Sequence, residues 1–235
     1  AMVGRLGTEA LAAAGMGSMI FWGALSLSIG IRTAVQTITA RRLGQGLLKE
    51  SGMALRNGLA LATLYSFPTS FFAWRYSDSL AQFFIEDPIA TSLTADYVSI
   101  VFIGLLFSSY SFVFQGFFTG IEKTKIHMKV TIASNVLNVY LNAGFIYGSS
   151  GVQEFFNEHL SSLSLISYLW GWVNFPALGV KGAAIATLVS SIWMAAHYTA
   201  SLLHKETKVK YSVFRLIFDS EMMKRQVQLL SLIHI

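Results

Sequence analysis

Cysteine is absent from the 235 residues. That excludes a disulfide-stapled scaffold, a thiol enzyme and a cysteine-ligated metal centre, and it says nothing about compartment. Charge is scarce too. Asp, Glu, Lys and Arg make up 12% of the chain, against about 25% in an ordinary soluble domain. There is no His/Glu metal cluster, no Gly-Lys-Ser/Thr phosphate loop and no nucleophile elbow. A carbonyl-lined pore filter is missing as well. What is present is apolar: 54% of the residues are hydrophobic and the mean hydropathy is +0.55. One soluble core cannot hide so much apolar surface, so the composition predicts a membrane protein.

A helix needs about 20 mainly apolar residues to cross the hydrocarbon core. Five stretches qualify, near 16–40, 57–74, 97–119, 130–147 and 182–203. They are too long and uniform for the alternating pattern of barrel strands, and lipid offers unpaired backbone groups no partner, so they read as helices. The cations settle orientation. Arg41, Arg42, Lys49 and Arg56 follow the first run. Lys123, Lys125 and Lys129 follow the third, and Lys205, Lys208, Lys210, Arg215, Lys224 and Arg225 follow the fifth. Glu9, Asp78, Glu86, Asp87, Asp96, Glu154 and Glu158 belong to the alternate connections. Every second loop is basic, which places those loops in the cytoplasm. The net charge of +5 is thus a topology signal and not a nucleic-acid surface.

Between the fourth and fifth runs, Phe156, Leu160, Leu163, Ile166, Trp170 and Val173 recur at helical spacing among Glu158, Ser161, Ser162 and Ser164. A sixth span here would reverse the cation pattern. The segment near 155–173 is therefore expected to lie as an amphipathic helix in the outer interface, with Trp170 and Trp172 at headgroup depth. Residues 219–229 read as the start of a further helix. The last six, 230–235, resemble a translated sequencing-library adapter, so a piece of a longer gene is expected, with native sequence ending near Leu229.

No Asp or Glu falls within the five runs. Ion-coupled transport normally needs an intramembrane carboxylate. The runs hold amides instead. Asn135, Asn138 and Asn142 share one face of the fourth run,. Buried amides need partners, so this stripe is either a cation or substrate site or interhelical hydrogen-bond glue. Thr187 lies in the small-residue run Gly182-Ala183-Ala184-Ile185-Ala186-Thr187, suited to close helix packing with a self-satisfied hydroxyl. Arg32 and Gln36 share a face of the first run. Arg32 either lines an aqueous path or snorkels to the cytoplasmic surface. Gln115 reads as a packing residue that can also line a cavity, and His197 as hydrogen-bonded structure. His127, among lysines, reads as solvated. Pro68 is expected to kink the second run.

Four stretches are familiar. Residues 2–15, MVGRLGTEALAAAG, resemble the loop between the first two helices of the multidrug and toxic compound extrusion (MATE) family. Asn138-Val139-Tyr140-Leu141-Asn142, ending in Phe145-Ile146-Tyr147-Gly148, resembles that family's fifth helix. Residues 176–187, PALGVKGAAIAT, are similar to the entry to its sixth, and Gly116-Phe117-Phe118-Thr119-Gly120 to the end of its fourth. Together they extend over nearly all of residues 2–225. The resemblance implies an all-α, polytopic helix bundle: helices two to six of an N-terminal six-helix lobe (residues 1–218), with an interfacial helix and the start of a seventh. The complete fold would have two such lobes around a cavity opened to alternate sides. It further implies a cation site with an aspartate on a first helix, just before Ala1, amides on the fifth and a threonine on the sixth. Asn138 and Asn142 match the fifth-helix positions and Thr187 the sixth. Some members carry Asp where this chain has Asn142, and the stretch 149–174 is longer than the family's usual loop.

The expected function is ion-coupled antiport, with sodium or protons as coupling ion and no cofactor, exporting cationic or amphiphilic drugs and toxins. The expected partners are the small-molecule drug and the lipid bilayer, with no nucleic acid. The complete protein is expected to be a monomeric, multi-pass resident of the inner (plasma) membrane and not an enzyme. Two alternatives stand beside it. A lipid-linked oligosaccharide or polysaccharide flippase of the same superfamily should line its cavity with several Arg or Lys, where only Arg32 is on offer. A membrane scaffold would use the amide stripe as glue alone.

Overall fold

The structure, a computed structural model, describes residues 2–159, 164–214 and 219–234. Leu160, Ser161, Ser162 and Leu163 of the expected amphipathic helix and Arg215 of the basic tail lie outside the described residues. So do the side chain of Ser164, the side chains of the suspected adapter segment 230–234, and Ile235. Among the described residues there are ten α-helices and no strand. They are α1 (Thr8–Gly44), α2 (Leu48–Arg75), α3 (Ser77–Phe84), α4 (Pro88–Ile103), α5 (Leu105–Gly120), α6 (Thr124–His159), α7 (Ser164–Gly171), α8 (Gly179–Leu203), α9 (Lys205–Tyr211) and α10 (Ser220–His234). The five apolar runs all lie in helix: in α1, α2, α4 with α5, α6 and α8. The all-α, polytopic class expected from the sequence is the observed one.

By length and apolarity alone, α1 and α8 can each cross a bilayer, and α4 with α5 qualifies as one bent pair. α2 has 28 residues, and the part of α6 before its break at Gly148, residues 124–147, is likewise longer than the 20 or so that a crossing needs,. Polar side chains lower their apolarity: Asn57, Ser66 and Thr69 in α2, and the three asparagines in α6. Several hydroxyls of α2 are satisfied within the helix, though the buried hydroxyl of Ser70 has no partner among the described residues. Thr63, Ser66 and Thr69 donate to Leu59, Ala62 and Tyr65 carbonyls one turn back, at 2.8, 2.5 and 2.7 Å. Such back-bonding spares lipid an unpaired polar group. α2 continues through Pro68 as one helix.

The chain packs as two compact units. One comprises residues 22–70, 104–134 and 191–235 and carries the described cations of the basic loops. Its core joins Ile31, Val35, Leu55, Val113, Phe114, Phe117, Phe118, Tyr198, Leu202 and Tyr211. The basic tail is not a solvated extension. Arg56 donates to the Ser212 carbonyl at 2.6 Å, Asn57 to the Asp219 carbonyl at 2.9 Å, and the buried Gln226 to the Ala54 carbonyl at 2.9 Å. Gly52 lets Tyr211 dock on α2: a Cβ there would stand 1.8 Å from the Tyr211 carbonyl oxygen.

The other unit comprises residues 1–21, 71–103 and 135–190. Its core is aromatic, with Trp170 and Phe175 against Leu141, Val152 and Ala186. Trp170 is not a headgroup anchor. It is 9% exposed, stacks on Tyr140 with centroids 5.0 Å apart, and donates its indole N–H to the Tyr140 carbonyl at 2.8 Å. Trp172, 87% exposed, does face outward. Asp96 pairs with Lys181 at 3.1 Å, an exposed contact worth about 0–1 kcal/mol.

α6 breaks at Gly148, where φ is 76° and ψ is 165°. A break frees helix carbonyls, and the segment before α8 takes them up. Leu178 N–H donates to the Phe145 carbonyl at 2.8 Å. Ser149 adds the lock: its hydroxyl reaches the Trp170 and Val173 carbonyls at 2.6 and 2.9 Å and accepts from the Phe175 N–H at 2.9 Å. Gly148→Ala should therefore lower stability by about 1–3 kcal/mol, because an L-residue is strained at this φ and its Cβ would press on Ala177 at 3.2 Å. Thermal unfolding in detergent measures it; an unchanged melting temperature would refute the strain.

Candidate functional site

The amide stripe of α6 lies in the second unit described. Asn142 donates its side-chain N–H to the Asn138 Oδ1 at 2.8 Å. Both residues are half-buried, while Asn135 is exposed. At 100° per residue, Asn138, Asn142 and Asn135 stand about 20°, 60° and 80° round α6 from Phe145. Phe145 marks the contact with α8. A Cβ on Gly182 would lie 2.1 Å from the Phe145 carbonyl oxygen, and four residues along each helix Leu141 and Ala186 share one apolar cluster. The two helices thus run antiparallel from that crossing. At 1.5 Å rise per residue, Asn142 lies about 4.5 Å along α6 from the crossing and Asn138 about 10.5 Å. Thr187 lies about 7.5 Å along α8, level with the space between the amides. It stands about 140° round α8 from Gly182, turned away from the face that meets Phe145. Its hydroxyl donates to the Ala183 carbonyl at 2.9 Å. A hydroxyl that gives its proton to a carbonyl acts toward other groups as an electron-rich oxygen. Amide oxygens and a hydroxyl oxygen suit a hard cation. Among the described residues, no group of three or more His, Asp or Glu is placed to hold a metal ion.

A separate cavity of about 460 Å³ flanks the same helix, walled by Val139, Ala143, Tyr147, Phe155, Phe156 and Trp170. The Arg5 guanidinium sits 4.4 Å from the centre of the Phe155 ring. The cavity is apolar and aromatic with one cation at its side, a lining for an amphiphile.

The remaining polar residues meet in the other unit. Arg32 and Gln115 line one cavity of about 310 Å³, with His127, Thr131 and Tyr198. Gln36 is not among its lining residues; its carbonyl instead faces Gly120, where a Cβ would stand 2.9 Å away. His127 corrects the expectation of a solvated loop residue. It lies in α6, its Nδ1 is 2.6 Å from the Tyr198 hydroxyl and 3.2 Å from Thr131 Oγ1, and its Nε2 bonds the Gln115 amide. Its ring lies nearly parallel to that of Tyr198, 13° between planes. The neighbouring lysines signalled solvent, and nothing in the local sequence announced Tyr198, 71 positions on. His197 also departs from expectation: its Nδ1 is buried without a hydrogen-bond partner.

Long helices with polar groups set inside apolar runs define a polytopic membrane protein. The family model described as MatE matches residues 1–143, and the chain belongs to that family, the multidrug and toxic compound extrusion transporters. It is 26% identical over 216 residues to a probable multidrug resistance protein NorM of Agrobacterium fabrum, and 24% identical over 213 residues to one of Synechocystis. In both cases the match takes in 91% of this chain and 41% of the relative. The chain thus spans about two fifths of the length of these relatives. Among solved structures, a MATE crystal structure in the bent conformation superposes with a TM-score of 0.78 at 22% identity, with 98% of this chain and 46% of that one covered. The inward-facing conformation of a multidrug resistance MATE transporter gives 0.75 at 21% identity, with 97% and 46% covered. At these identities the structures speak to the fold.

Proposed function

We propose that this chain forms helices two to six of the N-terminal lobe of an inner-membrane antiporter that exports cationic or amphiphilic drugs in exchange for sodium or protons. Asn138, Asn142 and Thr187 supply oxygens to the coupling cation, with Asn135 at the edge of the stripe. The observation that carries this reading is the hydrogen bond that pairs Asn142 with Asn138 on α6. The names of the relatives, multidrug resistance proteins, support the substrate class. The ion binds one state of the cavity better than the other, and that difference in affinity drives the exchange.

The full-length transporter in proteoliposomes tests it. Asn138→Ala and Asn142→Ala should each lower gradient-driven drug export by about tenfold or more, with insertion and melting temperature retained. Losing one oxygen ligand from a desolvated ion site costs the order of 1–3 kcal/mol. Export at the unaltered rate in either variant defeats the site assignment.

A further inference from the structure

A charge within an apolar helical run is costly unless something compensates it. Arg32 lies inside the first apolar run, in α1. Among the described residues the ion pairs are Arg42–Glu50, His159–Glu158 and Lys181–Asp96, and Arg32 is in none of them. It lines the cavity of about 310 Å³, and no carboxylate lines that cavity with it. Its place is firm, because α5 packs against its backbone: a Cβ on Gly116 would lie 2.4 Å from the Arg32 carbonyl oxygen.

Leu25, Phe112 and Met194 give the cavity apolar walls. Ser108 and Ser111 spend their protons on Ser191 Oγ at 3.1 Å and on the Phe107 carbonyl at 2.9 Å, so they are not donors to a ligand. Tyr198 is oriented by its neighbours. With the Gln115 amide N–H donating to His127 Nε2, the ring proton sits on Nδ1 and goes to the Tyr198 oxygen,. The phenol's own proton is then left to act as a donor. A planar guanidinium, one phenol proton and an apolar lining that includes the Phe112 ring match one ligand chemistry. We propose that this cavity binds a carboxylate carried on a flat apolar body, with Arg32 as its ion-pair partner. Two parallel N–H···O bonds from the guanidinium hold a carboxylate in plane, and a cavity near the lower end of the usual ligand range of about 300–1,000 Å³ selects a small aromatic acid. The site is distinct from the α6 amide stripe and does not depend on the export proposed above.

The test is calorimetry on the full chain in phosphatidylcholine nanodiscs at neutral pH. Three probes of nearly one shape are compared: naphthalene-1-acetate, naphthalene-1-acetamide and 1-naphthylmethylammonium. The acetate should bind about tenfold or more tighter than the amide, as charge-assisted hydrogen bonds require, and the ammonium weakest. Arg32→Gln should bring acetate and amide within about twofold of each other, while Arg32→Lys keeps a reduced preference, since the charge stays and the bidentate fork is lost. Acetate and amide binding alike in the unaltered protein overturns the proposal. So does a preference that survives Arg32→Gln, tighter binding of the ammonium, or no measurable binding of the acetate. Should Arg32→Gln not fold, the acetate-to-amide ratio in the unaltered protein and in Arg32→Lys decides.

Discussion

Gly182→Ala is expected to lower the stability of the protein by about 3 kcal/mol, a cost at the upper end for overpacking, and to scatter the amide and hydroxyl oxygens proposed as the cation site. One methyl group does this because of what it meets. The added Cβ would stand 2.1 Å from the Phe145 carbonyl oxygen, 2.5 Å from its carbon and 3.0 Å from the Ile146 nitrogen. All three are backbone atoms, and none can rotate aside. α8 must move away from α6. The Leu178 N–H to Phe145 carbonyl bond and the apolar cluster that includes Leu141 and Ala186 are disrupted with it. Thr187 then no longer comes level with Asn138 and Asn142. Thermal unfolding in detergent is the measurement, with Gly23→Ala as the control. Gly23 lies in α1 with nothing within 4 Å of its Cβ position, so that substitution should raise stability slightly through helix propensity. Equal melting temperatures for the two variants would sink the α6–α8 crossing.

Gly116→Ala should be about as damaging, and in a way that exposes a shared interface. Gly116 and Gly120 are one turn apart on α5, and both face α1. A Cβ at Gly116 meets the Arg32 carbonyl oxygen at 2.4 Å. One at Gly120 meets Thr39 Cβ at 2.8 Å and the Gln36 carbonyl oxygen at 2.9 Å. Small residues at this spacing let two helix backbones touch, the close approach that holds helices together in lipid. Each single substitution should cost about 2–3 kcal/mol. The double variant should cost clearly less than the sum, because helices already pushed apart by one methyl have room for the second. Strict additivity would mean that the two glycines do not serve one interface.

These contacts show how far the sequence reading reaches. The all-α polytopic class and the family followed from long apolar runs, basic alternate loops and the four familiar stretches, and the comparisons agree. Asn138 and Asn142 were legible as a pair because helical spacing is a local property, and their hydrogen bond lies within one helix. Gly116-Phe117-Phe118-Thr119-Gly120 was legible as a motif, but not that it seats α5 against Arg32. His127 and Trp170 were misread for one reason. Their partners, Tyr198 and Tyr140, sit on other helices or across a break, where local spacing carries no information. Arg56 looked like one more loop cation, yet it is buried against the Ser212 carbonyl.

The sequence by itself determined which segments are helical and membrane-bound, which loops are basic, and which polar residues share a face. Those depend on hydropathy and on a 3.6-residue period, quantities that a run of neighbours contains. Only the tertiary structure decided that Arg32, Gln115, His127 and Tyr198 line one cavity, that Gln36 stands aside from it, and that Gly182 seats α8 against the α6 backbone at Phe145. Those depend on which backbones approach closely enough to exclude a methyl group, and that is settled by packing between segments far apart in the chain.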